Sequence, residues 1–303
     1  MKRGMAIDIH SPDRPPVIGV IGGSGLYEID GLQDVHWETI ESPFGAPSDQ
    51  FLFGRLEDVQ MVFLPRHGRG HVHSPSSINY RANIDAIKRA GATEIISVSA
   101  CGSFKEALAP GTFVLPDQFI DRTFDREKSF FGEGMVAHVE LAHPVCGRLK
   151  SVLAESCRAL GIPVAEGGTY LAMEGPQFST LAESKLYRSW DCSVIGMTNM
   201  PEAKLAREAE LCYATIAMVT DYDCWHPDHD SVSVESIIKV LMSNADLGCA
   251  LVKEAAPRLA ARRGACDRGC HTKLDAALVT APDARDPAML ARLDAVAGRV
   301  LTG

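Results

Sequence analysis

Two aspartates separated by one residue could carry acid–base chemistry. Asp221 and Asp223 follow the apolar run 212–219, which is typical of a buried strand. Two carboxyl groups held close together away from water cannot both ionise cheaply, so one pKa rises. A carboxyl group kept protonated can protonate a leaving group, while its partner accepts from an amine. The pair is also compatible with a glycosidase or, with His226 and His229, with a metal site.

A basic loop predicts an oxyanion site. The sequence PRHGRGH places Arg66, His67, Arg69 and His71 directly after another apolar run. Arginine can hold phosphate through two parallel hydrogen bonds, and histidine can donate one more. The alternative interpretation is a solvated basic loop without a ligand.

Three further loops supply small or polar groups after strand-like runs. Ser24 lies in GGSG, a turn that can direct N–H groups to an anion, although Glu28 replaces the third glycine of a dinucleotide fingerprint. Ser99 and Ala100 end the run EIISVSA, where small side chains let a ligand approach the backbone. Thr198 precedes a predicted helix, whose N-terminus favours an anion. Each loop alone is equally compatible with an ordinary turn or cap.

The elements that must position these loops alternate along the chain. The patterns predict strands at 17–21, 61–64, 94–100, 113–115, 119–120, 168–173, 193–195 and 212–219, and helices at 77–90, 144–160, 180–189, 201–210, 234–259 and 287–301. This alternation indicates an α/β fold with a single mixed central sheet flanked by helices. Ligands of such sheets bind at the carboxyl ends of the strands, where the candidate loops lie.

Composition excludes several classes of function. Thirty basic and 39 acidic residues give a formal net charge of −9, which repels phosphate polymers, so we expect no nucleic-acid partner. The absence of a run of about 18 apolar residues predicts no membrane-spanning helix. Nine scattered cysteines are typical of a reduced, cytoplasmic protein.

Eight stretches in order resemble the trimeric purine nucleoside phosphorylase family, on its branch that acts on methylthioadenosine. They are IGVIGGSGLY, PRHGRGH, NYRANIDAIK, SACGS, DQFIDRT, MEGPQFST, GMTNMPEAKLAREAELCYATIAMVTDYDCW and VSVESIIKVL. Each is weak alone, but together they span roughly residues 17–259. The resemblance implies phosphorolysis of S-methyl-5′-thioadenosine to adenine and 5-methylthioribose 1-phosphate, in purine and methionine salvage. It implies inorganic phosphate as co-substrate, no metal, no cofactor and a homotrimer.

The resemblance also implies a role for each candidate residue. The implied phosphate-binding positions are Ser24, Arg66, His67, Ser99, Ala100 and Thr198. The implied nucleoside-binding positions are Phe178 and Ser179 beside the purine, Met197 under the ribose, Val234, Ile237 and Ile238 at the alkylthio group, and His138 from a neighbouring subunit. Asp221, Asp223 and His67 are the expected catalytic residues. Asp221 would share a proton with N7 of the leaving base, and Asp223 would accept from its 6-amino group.

The implied reaction has physical requirements that these residues meet. The C–N bond breaks with oxocarbenium character on the sugar, while negative charge flows to the purine. Since 6-oxopurine relatives carry Asn where Asp221 stands, the carboxyl group favours adenine-type bases. Three alternatives stay open: a nucleosidase that uses water, a phosphorylase of methylthioinosine or other 6-oxopurine nucleosides, and a non-catalytic nucleoside-binding protein.

The resemblance suggests a division of the chain into three parts. We expect a flexible leader over 1–16, a nucleoside phosphorylase domain over 17–262, and an appendage over 263–303 that packs on or near the active site. In the appendage, Cys266 and Cys270 lie beside His271. Because no second Cys/His pair stands at zinc-finger spacing, a redox-sensitive pair is favoured over a metal site.

Overall fold

The computed structural model describes residues 16–23, 25–26, 29–227, 234–262 and 264–301, with the side chains of 234–239 and 241–243 excluded. The strands are β1 (Val17–Gly22), β2 (Gln33–Glu38), β3 (Phe51–Leu56), β4 (Val59–Pro65), β5 (Glu94–Ser103), β6 (Phe113–Leu115), β7 (Gln118–Arg122), β8 (Val164–Glu166), β9 (Thr169–Met173), β10 (Val194–Gly196) and β11 (Cys212–Asp221). The helices are α1 (Tyr80–Arg89), α2 (Gly147–Ala159), α3 (Leu181–Ser189), α4 (Asn199–Glu208), α5 (Val234–Ala261), α6 (Pro287–Arg292) and α7 (Asp294–Leu301). The predicted leader lies almost entirely outside the described residues.

All these strands belong to one mixed sheet, which confirms the predicted fold class. Its main order is β2-β3-β4-β1-β5-β10-β9-β7, while β11 pairs with β5 and β6, and β6 with β8. The pairs β1–β4, β1–β5 and β5–β11 are parallel. The carboxyl ends of β1, β4, β5 and β11 therefore meet at one edge, as the positions of the candidate loops require.

Helices cover both faces of the sheet. One buried cluster contains apolar residues of α1, α4 and α7, and the other contains those of α2 and α5. Alternate residues of the central strand β5 serve the two clusters, with Ile95 in the first and Ile96 in the second. No helix in the described ranges is long and apolar enough to cross a membrane.

Local capping explains where the helices begin. α1 starts three residues later than predicted because the side chain of Asn79 accepts from the N–H of Ala82. α3 follows Thr180, which forms a reciprocal capping box with Glu183. The predicted helix at 287–301 is instead two helices, α6 and α7, with Leu293 buried between them.

Three strands had no clear signal in the sequence. β2 is almost fully exposed along its length, so it lacks the alternation that marks a half-buried strand. β8 has only three residues, too few for a period to emerge. β3 alternates between buried and half-buried residues from Leu52 to Leu56, but Gly54 and Arg55 interrupt its apolar run in the sequence.

Candidate active site

Arg66 is the buried centre of the site. Its side chain is 2% exposed. Nε and Nη2 donate to the two carboxylate oxygens of Glu202 at 2.8 and 3.1 Å, and Nη1 donates to the carbonyl oxygen of Val98 at 2.9 Å. Burial alone would lower the pKa of Arg66, but the charge of Glu202 raises it above its ordinary value. Since Nη1 has two hydrogens, one N–H beyond the bond to Val98 can serve an anion.

Glu202 is held by a network that joins three elements around Arg66. The hydroxyl groups of Ser97 and Tyr213 donate to its Oε1 at 2.6 and 2.9 Å. Ser97 also accepts from Nη2 of Arg66 at 2.7 Å. β5, β11 and α4 are thereby joined around Arg66, which directly follows β4.

His67 is held as a neutral ring. Its Nδ1 lies 2.8 Å from the carbonyl oxygen of His73, and its ring stacks on His71 at a centroid distance of 4.2 Å. Burial lowers the pKa of His67 to about 4, and the charge of Arg66 adds to this effect. Because a carbonyl oxygen only accepts, Nδ1 carries the proton, and Nε2 of the neutral ring is an acceptor.

Two buried polar atoms lie where β5 meets the loop before α4. Ser99 donates to Oδ1 of Asn199 at 3.2 Å, which joins the strand to that loop. Among the described residues, neither Oγ1 of Thr198 nor Nδ2 of Asn199 has a hydrogen-bond partner, although both are buried. An unpaired buried polar atom is unfavourable, so both atoms favour a polar ligand here.

Of the two remaining phosphate candidates, Ala100 is among the described residues and Ser24 is not. Ala100 follows Ser99 in β5, is half-buried and lies opposite Met218 of β11. Ser24 lies outside the described residues, so its predicted role stays a prediction. The backbone N–H of Arg66 donates to the carbonyl oxygen of Gly22 at 2.9 Å, which places the start of the GGSG loop beside Arg66.

The half-buried Asp221 and the buried Asp223 form a carboxyl pair at the end of β11. Burial raises the pKa of both carboxyl groups above their ordinary values, and the charge of Asp221 raises that of Asp223 further. The hydroxyl of Thr220 donates to Oδ2 of Asp221 at 2.6 Å. A Cβ at Gly102 would lie 2.8 Å from Oδ1 of Asp221, so only glycine fits this close approach.

The predicted purine and ribose residues come together around this pair. Sγ of Cys224 lies 3.5 Å from the carbonyl oxygen of Ser179, which brings the MEGPQF loop to the aspartates. A Cβ at Gly175 would lie 2.5 Å from Sδ of Met197, so the loop before α4 also packs here. Phe178 keeps 42% of its surface exposed, so its ring is available to a ligand.

Arg126 is a site residue that the sequence analysis missed. Its Nη1 donates to the carbonyl oxygens of Met197 and Met200, the latter at 2.7 Å, while Nη2 donates to that of Glu174 at 2.6 Å. Nε pairs with the Glu174 carboxylate at 2.9 Å. Four hydrogen bonds lower the pKa of Glu174 to about 2, although burial alone would raise it. One buried cation therefore joins the MEGPQF loop to the loop before α4.

Other predicted residues are not joined to this centre. His138 is exposed, and its backbone N–H donates to the carbonyl oxygen of Ala277 at 2.9 Å. Val234, Ile237 and Ile238 belong to α5, but their side chains lie outside the described residues. Of the residues in the metal alternative at Asp221 and Asp223, His226 stacks on Tyr222 and His229 lies outside the described residues, so this alternative stays an expectation.

The phosphorylase superfamily model matches residues 17–257, which includes every described candidate except those of the appendage. The chain belongs to the phosphorylase superfamily. It is 66% identical over 287 residues to an S-methyl-5′-thioadenosine phosphorylase of Cereibacter sphaeroides, which covers 95% of this chain and 99% of the relative. The corresponding enzyme of Rhodospirillum rubrum is 64% identical, with 95% and 98% covered.

Solved structures of superfamily members have the same fold. A methylthioadenosine phosphorylase from an Antarctic soil metagenomic library superimposes with a TM-score of 0.88 at 46% identity, covering 93% of this chain and 99% of that one. A variant adenosine/methylthioadenosine phosphorylase of Schistosoma mansoni in complex with methylthioadenosine gives 0.77 at 36%, covering 82% and 92%. The fold is thus shared with these superfamily members.

Proposed function

We propose that the protein catalyses phosphorolysis of S-methyl-5′-thioadenosine to adenine and 5-methylthioribose 1-phosphate, a pentosyl transfer in purine and methionine salvage. The observation that carries this function is the carboxyl pair Asp221 and Asp223 at the strand edge where polar groups suited to phosphate also converge. Relatives up to 66% identical bear the name of this enzyme. We place the purine at the aspartates and the phosphate near Thr198.

On the purine side, the carboxyl pair handles the proton of the leaving base. A raised pKa keeps the Asp221 proton available for N7, where negative charge builds up as the C–N bond breaks. Asp223 then accepts from the 6-amino group. Because a carboxyl group facing O6 of a 6-oxopurine would meet an acceptor, the pair favours adenine.

On the sugar side, phosphate stabilises the oxocarbenium ion and attacks C1. The hydroxyl of Thr198 and the amide of Asn199 supply unpaired, buried hydrogen-bonding groups for its oxygens. Ser99, Ala100, Ser24 and the free N–H of Arg66 complete the proposed set. The attraction between the bound phosphate and the sugar strengthens as positive charge develops on the sugar, which is the condition for lowering the barrier.

His67 binds and orients the phosphate through a hydrogen bond. With Nδ1 committed to His73, neutral His67 offers Nε2 as an acceptor for the hydroxyl of a phosphate anion. This hydrogen bond orients the phosphate towards the sugar, since a ring with a pKa of about 4 is too weak a base to take the proton itself. This requires no organic cofactor and no catalytic metal.

We infer a homotrimer as the active assembly. His138 is exposed, as a residue that serves a neighbouring subunit must be, and Phe124 and Val136 close to it in sequence are 82% and 38% exposed. Such apolar surface supports burial against another copy. We further propose a cytoplasmic location, supported by nine cysteines that form no disulfide among the described residues.

The proposed function is tested by following both products from one substrate. Purified protein is incubated with methylthioadenosine and inorganic phosphate, and adenine and the sugar phosphate are quantified by mass spectrometry. We expect equimolar adenine and 5-methylthioribose 1-phosphate. Free methylthioribose in place of the sugar phosphate would identify a nucleosidase and overturn the proposal.

A further inference from the structure

Four cysteines from three separate parts of the chain meet on one side of the sheet. Cys146 directly precedes α2, Cys212 is the first residue of β11, and Cys266 and Cys270 follow α5. All four are buried, with exposures between 0 and 6%. Their Sγ atoms all lie within 4.8 Å of one another. The backbone N–H of Cys146 donates to the carbonyl oxygen of Tyr213 at 2.8 Å, which fixes the first two cysteines side by side.

The arrangement of the sulfur atoms suits a tetrahedral ion. A Zn–S bond of about 2.3 Å places the four sulfurs of a tetrahedral site about 3.8 Å apart, within the observed limit. Cys266 and Cys270 are separated by three residues, a spacing common to zinc-binding pairs. The second pair is invisible in the sequence because Cys146 and Cys212 are brought together only by the fold.

The groups around the cluster donate hydrogen bonds to sulfur. The backbone N–H of Cys270 donates to Sγ of Cys266 at 3.2 Å. Nη1 of Arg207 lies 3.4 Å from Sγ of Cys270, and Nη2 of Arg148 lies 3.7 Å from Sγ of Cys212. Donors of this kind stabilise thiolates and orient them towards a metal.

The local charge also favours a bound cation with four thiolates. A Zn²⁺ ion with four deprotonated cysteines has a formal charge of −2, which a buried site must offset. Arg207 is 2% exposed and supplies one positive charge beside the cluster. Arg148 adds a second positive charge, although it also pairs with Glu94. Arg207 donates hydrogen bonds to Sγ of Cys270 and to the carbonyl oxygen of His143, so a thiolate at Cys270 gives it an anionic hydrogen-bond partner.

We propose that Cys146, Cys212, Cys266 and Cys270 bind one Zn²⁺ ion in a closed structural site that fastens the C-terminal appendage to the sheet. Binding displaces the thiol protons to solvent and involves no change of oxidation state. Four protein ligands leave no open position, so the ion has no part in catalysis. This inference replaces the sequence expectation of a redox pair and no metal, and it is independent of the proposed reaction.

The cysteine site directly precedes the segment 271–279, which contacts the exposed loop around His138. Beyond it, the N–H of Leu274 donates to Oε1 of Glu210 at 2.9 Å. The N–H of Val279 donates to the carbonyl oxygen of Val136 at 2.9 Å, and Ala277 accepts from His138. Zinc therefore anchors the segment that supports residues 136–138.

Metal and thiol content of the untagged protein test the proposal directly. The protein is expressed with zinc and iron both present, and elemental analysis and native mass spectrometry are run without added reductant. We expect one zinc per chain, and nine alkylated cysteines after denaturation in chelator. Two disulfides with five alkylated cysteines, four free thiols without metal, or iron in place of zinc would each overturn the proposal.

A pair of variants locates the metal. Cys270→Ser is expected to lose at least about 90% of its zinc, whereas Cys157→Ser keeps it, because Cys157 is equally buried in the same core cluster but lies outside the site. Retention of zinc by Cys270→Ser would place the ion elsewhere. If that variant is insoluble, the wild type is substituted with cobalt instead. We then expect intense visible absorption, which is typical of tetrahedral cobalt bound by four thiolates. A weak octahedral spectrum would contradict the site.

Discussion

The backbone N–H of Asp223 donates a hydrogen bond of 2.8 Å to Oδ1 of Asp221. This bond requires the turn in which Asp223 adopts a φ of +52°, in the left-handed region. Strain of that kind persists where the surrounding structure demands it, and it concentrates at functional sites. The backbone N–H of Asp223 thus orients the carboxyl group of Asp221, so the position of one aspartate depends on the other.

Replacement of Asp221 by asparagine should change both rate and base preference. The substituted amide would be unable to supply the N7 proton but could donate to O6, so kcat/KM for methylthioadenosine should fall by about 10²–10⁴-fold while that for methylthioinosine falls less. Initial rates with both nucleosides measure the ratio. The exposed Asp58→Asn serves as a control and should leave both rates unchanged. An unaltered ratio in the Asp221→Asn variant would refute the role in base recognition.

Glu202→Gln should destabilise the protein through Arg66. Removal of one partner of a buried ion pair leaves an uncompensated charge, which costs about 3–5 kcal/mol in the free energy of unfolding. Urea denaturation measures the loss. The exposed pair Arg158 and Glu166 provides a matched control, since Glu166→Gln should cost about 1 kcal/mol or less. Equal effects of the two variants would show that the Arg66 network is not structural.

His67 should make stability depend on pH between about 6.5 and 4. Its folded pKa, about 4, lies below the ordinary 6.5, so the unfolded state binds more protons and stability falls as pH falls through this range. The loss attributable to His67 is at most about 3 kcal/mol. Chemical denaturation at several pH values should show a shallower dependence for His67→Asn than for the wild type. Parallel curves would contradict the low pKa, as would a histidine NMR titration near 6.5.

Arg126→Gln should impair nucleoside binding more than folding. The guanidinium group donates hydrogen bonds to the carbonyl oxygens of Met197, Met200 and Glu174. Without these bonds, we expect the MEGPQF loop and the loop before α4 to separate. We expect KM for methylthioadenosine to rise about 10-fold or more, because the two loops would no longer hold the nucleoside-binding residues in position. Arg158→Gln removes an exposed arginine and should change neither KM nor kcat. A purely structural role would lower the unfolding midpoint but leave KM unchanged.

The parts of this site that were predictable from the sequence share one feature: each is a short motif after an apolar strand. Asp221, Arg66 and Thr198 could be singled out in this way, because strand ends converge in a parallel arrangement. The fold class followed from the same alternation. Their partners could not be found, because Glu202 is 136 residues from Arg66 and Glu174 is 48 from Arg126. Pairings at such distances are set by tertiary packing, which no local pattern encodes.

The cysteine cluster is a second case in which partners far apart in the sequence could not be predicted. Cys266 and Cys270 were recognised as a pair, but spacing alone gave them no partners. Cys212 begins a strand and Cys146 precedes a helix, far from each other in the chain, so no spacing links either of them to Cys266 and Cys270. The roles of Ser24 and of the Val234, Ile237 and Ile238 side chains stay predictions, since they lie outside the described residues.

Dependence of adenine release on phosphate tests the central claim most directly. Initial rates with methylthioadenosine should rise from near zero and saturate with inorganic phosphate in the wild type. Thr198→Val, which removes the buried unpaired hydroxyl, should raise KM for phosphate about 10-fold or more, while the exposed Thr39→Val should behave as the wild type. Adenine release at the same rate without phosphate, or an unchanged phosphate KM in Thr198→Val, would contradict phosphorolysis at this site.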